Sequence, residues 1–133
     1  MNDMRWSDGP RMRHLRSDHA CVTIAGHENK PEGVFVIGGD HGVSSVEFLE
    51  FGSNEWTKVG EPPEYDLLLH AVTPAYSPEY LLYTVGGQSR NKQVKKIYGL
   101  THSFSWNNVA SLLKERRQHT SLNLNQNDIL RCF

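Results

Sequence analysis

The sequence has little of what marks most specialised chains. Two cysteines in 133 residues, Cys21 and Cys132, cannot build a disulfide framework. The formal charge is −1, and Lys and Arg are scattered, so there is no basic face for nucleic acid or an anionic membrane. No apolar run approaches the ~20 residues that span a bilayer. The opening Met-Asn-Asp-Met-Arg-Trp has no apolar signal core. The expected setting is cytoplasmic. No stretch sustains a 3.6-residue apolar period, so helices are not expected. Zinc-ligand spacing, a Gly-x-Ser-x-Gly elbow and the Lys-Ser/Thr of a phosphate loop are all missing. Neither catalysis nor a metal nor a cofactor is therefore expected.

What is present is a repeat. Trp6, Trp56 and Trp106 stand 50 residues apart. After Trp6 come Met12, Arg16 and His19; after Trp106, in the same register, come Leu112, Arg116 and His119. A second marker is the diglycine, Gly38-Gly39 and Gly86-Gly87, 48 residues apart. Each follows a β-branched, apolar run. A fixed period of this length is the signature of a repeat architecture.

Each repeat reads as four short strands between turn signals. The first set is 19–25, 34–37, 45–51 and 55–59. The second is 67–73, 80–85, 94–100 and 103–109, with 88–93 as a polar loop. Residues 3–8 around Trp6 read as the end of an earlier strand; 119–124 and 129–133 open a further set. The run 19–25 is small and β-branched, as a strand buried on both faces would be, which makes Cys21 an inert core thiol. Four antiparallel strands per repeat is the plan of a propeller blade. The recurrent Trp suits packing between blades, and the diglycines suit positive φ or close backbone approach. The expected fold is all-β: residues 1–18 end one blade and its connector, 19–59 form a full blade, 60–109 a connector and second full blade, and 110–133 a connector and the start of a third. The chain thus reads as a fragment of a longer propeller, with bare blade faces open to self-association.

These features resemble the kelch-repeat family. Its marks are a diglycine closing the second strand, an aromatic on the third and a Trp on the fourth. Here they are Gly38, Gly39, Gly86 and Gly87, then Tyr98, then Trp6, Trp56 and Trp106. The stretch Gly39-Asp40-His41-Gly42…Ser45-Val46-Glu47…Asn54-Glu55-Trp56 is most like the kelch-like adaptors that carry a BTB region. There are departures. Leu49 stands where the family has Tyr, Tyr98 lies eight rather than seven before its Trp, and the second connector has Asp66 where the others have Arg.

The resemblance implies a protein-interaction module, the substrate-recognition part of a cullin-type ubiquitin ligase adaptor. Cullin binding would need a BTB region that these residues do not contain. Actin binding is an alternative, and so is a propeller enzyme such as a sialic acid mutarotase or a copper radical oxidase. In kelch-like adaptors the loops that enter the first strand and those after the diglycine gather at one mouth and hold a peptide or protein. That implicates Arg16, Ser17, Arg116 and Arg117, with Asp40, His41, Gln88, Ser89 and Arg90. Arginines there suit an acidic or phosphorylated peptide. His19, His70 and His119 occupy equivalent places, so strand-start hydrogen bonding to a neighbouring blade is expected of them rather than a shared metal.

Overall fold

The computed structural model describes residues 4–26, 30–40, 44–118, 121–122 and 131–132, the last two pairs as backbone only. His41 and His119 lie outside the described residues. Two four-stranded antiparallel sheets dominate. The first runs β1 (Ala20–Ile24), β2 (Gly33–Ile37), β3 (Val46–Glu50) and β4 (Thr57–Gly60), paired in that order. The second begins with β5 (Ala71–Pro74) and β6 (Tyr80–Val85). A short hairpin follows, β7 (Gln88–Ser89) with β8 (Lys92–Gln93). The sheet then resumes with β9 (Lys96–Thr101) and β10 (Trp106–Ser111), in the order β5-β6-β9-β10. A final pair, β11 (Ser121–Leu122) and β12 (Arg131–Cys132), is antiparallel, and β11 lies against β5. No described helix is long and apolar enough to cross a membrane.

The core lies between the two sheets. Val22, Ile24, Phe35, Ile37, Val46 and Phe48 of the first meet Leu81, Leu82 and Leu100 of the second. Val72, Val59 and Trp106 close its margin. Burial of these side chains is the main stabilising force, each contributing about 1.5–3 kcal/mol when fully buried. The first strands of the two sheets, β1 and β5, lie side by side.

The tryptophans tie each sheet to the connector before it. Trp56 Nε1 donates to Pro10 O at 2.9 Å, and Trp106 Nε1 donates to Glu61 O at 2.7 Å. Pro10 and Glu61 follow the preceding Trp by four and five residues, so the sequence period is a period of bonds. Trp56→Phe keeps an aromatic ring but removes the donor and part of the buried indole surface. It is expected to lower unfolding stability by about 1 kcal/mol or more in a urea titration, with the lost protection confined to amides of residues 11–16.

The diglycines have two separate jobs. Gly38 and Gly86 have φ of 63° and 61°, a conformation few other residues adopt readily. Gly39 and Gly87 donate their amides to the next connector, at Leu67 O (2.9 Å) and Arg116 O (2.8 Å). A Cβ on Gly87 would stand 2.7 Å from His70 Cβ. The second glycine and the strand-start histidine are therefore one packing feature.

Four expectations need correction. Residues 4–9 form no strand, and Trp6 is fully exposed. A strand persists only where its amides find a ladder, and no described strand pairs with this segment. The strand expected from Leu67 begins at Ala71, because Asp66 and Leu69 take left-handed φ of 52° and 54° and break the extended run. Residues 88–93 are a hairpin rather than a plain loop, turned by Arg90 and Asn91 at φ 46° and 63°. Finally, β1 alternates between buried and exposed positions instead of being buried throughout, and Cys21 is exposed.

Candidate functional site

At one end of the two sheets the entry segments meet Asp40, which follows the first diglycine, and the β7–β8 hairpin, which follows the second; together they make a rim. Backbone bonds set its order. Asp40 N donates to Ser17 O, and Leu68 and Gln88 exchange both of their backbone bonds. Gln118 N donates to Leu69 O, and Leu69 N donates to Asp18 O. Asp18, Leu69 and Gln118 are repeat-equivalent, all left-handed, with φ of 53°, 54° and 51°. They form a seam of backbone bonds running from one repeat to the next.

The side chains on this rim are mostly those the sequence implicates. Ser17, Asp40, Arg90, Arg116 and Arg117 are exposed, while Gln88 and Ser89 are half-buried. Arg117 Nη1 donates to Gln88 Oε1 at 3.0 Å. Ser89 Oγ donates to Tyr65 O at 2.6 Å. The Arg90 guanidinium lies 4.5 Å from the centroid of the half-exposed Tyr65 ring, a cation–π contact that fixes its direction at modest energy. The rim is polarised. Asp18 and Asp40 face water on the first sheet's half; Arg90, Lys92, Arg116 and Arg117 do so on the second's.

Arg16 is different. Its guanidinium is fully buried and directed inward. Nη1 donates to Gly38 O at 2.7 Å and Ser45 O at 3.0 Å; Nη2 donates to Ser45 Oγ at 2.6 Å and Glu47 Oε1 at 2.5 Å. Arg16 therefore holds the diglycine loop in shape and presents no face to a ligand. Glu47, also fully buried, takes two further bonds from the entry segment, from Arg13 N at 2.9 Å and His14 Nδ1 at 2.8 Å. Burial alone would raise the Glu47 carboxyl; the bonds from His14, Arg13 and Arg16 outweigh it and hold the group below its usual value. Burial lowers the affinity of His19 for a proton, helped by the Arg16 charge and opposed by Asp18.

The second sheet solves the same position another way. Tyr98 pairs across to Thr84 as Glu47 pairs to Val36, so Tyr98 and Glu47 are register equivalents. Tyr98 OH donates to Glu64 in the entry segment of its own sheet. Burial, then this bond, raises the phenol above its ordinary value. Leu49 pairs with Val34, and Leu100 with Leu82, so the residue opposite Trp106 is Leu100, not the aromatic.

Sequence reasoning did not single out Glu47, His14 or Tyr65. Alternation in Ser45 to Phe51 places Glu47 on the face opposite Val46 and Phe48, where an acid ordinarily meets water, so its burial was not legible. Nothing local marks Tyr65. Among the described residues no group of three His, Cys, Asp or Glu side chains is placed to hold a metal ion. The sequence matches no protein-family model, and no curated protein is significantly similar to it.

Proposed function

We propose that the chain is a protein-interaction module of the kelch-propeller type, with each four-stranded sheet serving as a blade and the rim as its ligand face. The observation that carries this reading is the convergence, at one end of two sheets, of the connectors with Asp40 after the first diglycine and the hairpin after the second. Loops on a rigid scaffold are the usual seat of recognition. The activity in this reading is binding without bond-making, with the cations of the second sheet's half and the carboxylates of Asp18 and Asp40 as the exposed charged groups.

The cationic half favours an acidic or phosphorylated peptide. Arg117, oriented by Gln88, and Arg90, oriented on Tyr65, can each give a bidentate pair to a carboxylate or phosphate. The substrate-recognition role in a ubiquitin ligase adaptor follows from the resemblance and belongs to this same proposal.

A fluorescence-anisotropy screen of acidic, phosphorylated and neutral peptides tests it. Acidic or phosphorylated peptides are expected to bind, with Arg90→Ala/Arg117→Ala weakening them about tenfold or more. Binding should also weaken between low and physiological salt, because these cations are solvent-exposed. Equal affinity for neutral peptides, or indifference to the double substitution, would remove the rim from the account.

A further inference from the structure

The side chain of Tyr65 is half exposed, and a cation already lies over its ring. The Arg90 guanidinium stands 4.5 Å from the ring centroid. The arrangement is held from two sides. Ser89 Oγ donates to Tyr65 O at 2.6 Å, and Leu68 exchanges both backbone bonds with Gln88. The connector that carries Tyr65 and the hairpin that carries Arg90 are thus fixed to each other. Arg90 itself stands at the hairpin's turn, with a left-handed φ of 46°.

The charges around this ring suit an anion better than a phenol. The carboxylate of the neighbouring Glu64 is engaged elsewhere: it accepts from the Tyr98 hydroxyl and pairs with Lys96 at 3.6 Å. Asp66, on the other side of Tyr65 in the chain, is half-buried. The hairpin brings the exposed Arg90 and Lys92, and its first residue, Gln88, holds Arg117. A neutral phenol draws only a modest cation–π contact from this charge. Tyr76 makes the contrast. It is as exposed as Tyr65, at 49% against 50%, but lies in the β5–β6 turn at the opposite end of the sheet, three residues before Glu79.

We propose that Tyr65 is a phosphorylation site, and that its phosphate, captured by Arg90, closes the cationic half of the rim to acidic ligands. The phenol oxygen attacks the γ-phosphorus of a nucleoside triphosphate held by a tyrosine kinase. The bond from that phosphorus to the β–γ bridging oxygen breaks, the nucleoside diphosphate leaves, and the phenolic proton passes to the kinase's base. The product carries a charge of about −1.5 to −2 and three acceptor oxygens. Arg90 exchanges its ring contact for a charge-assisted pair with those oxygens. The same guanidinium is then lost to a carboxylate or phosphate ligand, and the added negative charge repels such a ligand from the rest of the cationic half. The effect on ligands rests on the peptide-binding reading of the rim; the capture of the phosphate by Arg90 does not.

Incubation of the full chain with a broad-specificity tyrosine kinase and ATP, followed by mass spectrometry of its peptides, locates the phosphate. It is expected on Tyr65, with Tyr65→Phe abolishing the main addition and Tyr76→Phe leaving it. Phosphorus NMR across a pH titration then reads the contact with no ligand present. The second ionisation of the phosphate, ordinarily at about 6, should lie lower in the native chain than in Arg90→Gln. Fluorescence anisotropy with an acidic peptide should show affinity reduced about tenfold by phosphorylation. A chain left unmodified under conditions that modify a peptide of residues 60–70 would overturn the proposal. So would a phosphate that titrates alike with and without Arg90. Equal peptide affinity before and after phosphorylation would mean that the rim is not closed, which also defeats it. If no acidic peptide binds the unmodified chain, the ligand face itself is lost, and the phosphate titration alone decides the site.

Discussion

Glu47→Ala is expected to lower unfolding stability by about 3–5 kcal/mol, the usual loss when one partner of a buried ion pair is removed. Arg16 would keep its charge, fully buried, with only carbonyl and hydroxyl oxygens around it. Arg13 N and His14 would lose their acceptor. Chemical denaturation of the chain and the variant measures the difference. The substitution should also release the entry segment, since three of its residues converge on this one carboxylate. A paired change, Glu47→Leu with Arg16→Met, is expected to recover much of the loss, because no charge is then left buried without a partner. If Glu47→Ala and the paired change are equally destabilised, the damage is a cavity rather than a stranded charge.

The same carboxylate gives stability a pH dependence of known sign. Its folded value lies below the ordinary 4.5. The stabilisation is therefore complete above that value and is lost as pH falls through the folded one. Thermal unfolding at pH 7 and below pH 4 should show a steeper fall for the native chain than for the Glu47→Leu/Arg16→Met pair.

Gly38→Ala is the second large effect, expected at about 3 kcal/mol or more. Two faults coincide there. The residue sits at φ 63°, and a Cβ would come 2.1 Å from Leu67 O, a backbone atom unable to swing away. Gly52 is the control. Its φ is 84°, yet a Cβ there meets nothing within 4 Å. Gly52→Ala should therefore cost only the conformational strain, about 1–2 kcal/mol. Urea titrations of the two variants separate strain from collision. Equal losses would mean that the connector carrying Leu67 can retreat.

The all-β architecture was legible because the period and the apolar runs reported the same thing. Gly38-Gly39 and Gly86-Gly87 close β2 and β6, and Trp56 and Trp106 stand at the entry to β4 and β10. Errors arose where a residue serves contacts outside its own strand. Leu67 is apolar because it is buried beside Val94 and Tyr98, not because it starts β5. Residues 88–93 are polar because their hairpin faces water, so no alternation betrays it. Cys21 reads as core by composition, but only one of its strand's faces is covered among the described residues. Arg16 and Arg116 hold the same register place in sequence. Arg16 reaches Glu47 in the interior while Arg116 is exposed, and only the fold separates them.

The seam through Asp18, Leu69 and Gln118 has a consequence for how such a surface changes over time. Its bonds join amide to carbonyl, and every non-proline residue supplies both. Cohesion at that end of the molecule thus asks of the side chain only that it tolerate a left-handed φ, which β-branched residues do worst. An aspartate, a leucine and a glutamine already fill the three equivalent places. Rim residues can be exchanged for others, and the specificity of the face rewritten, while the joint beneath them stays as it is.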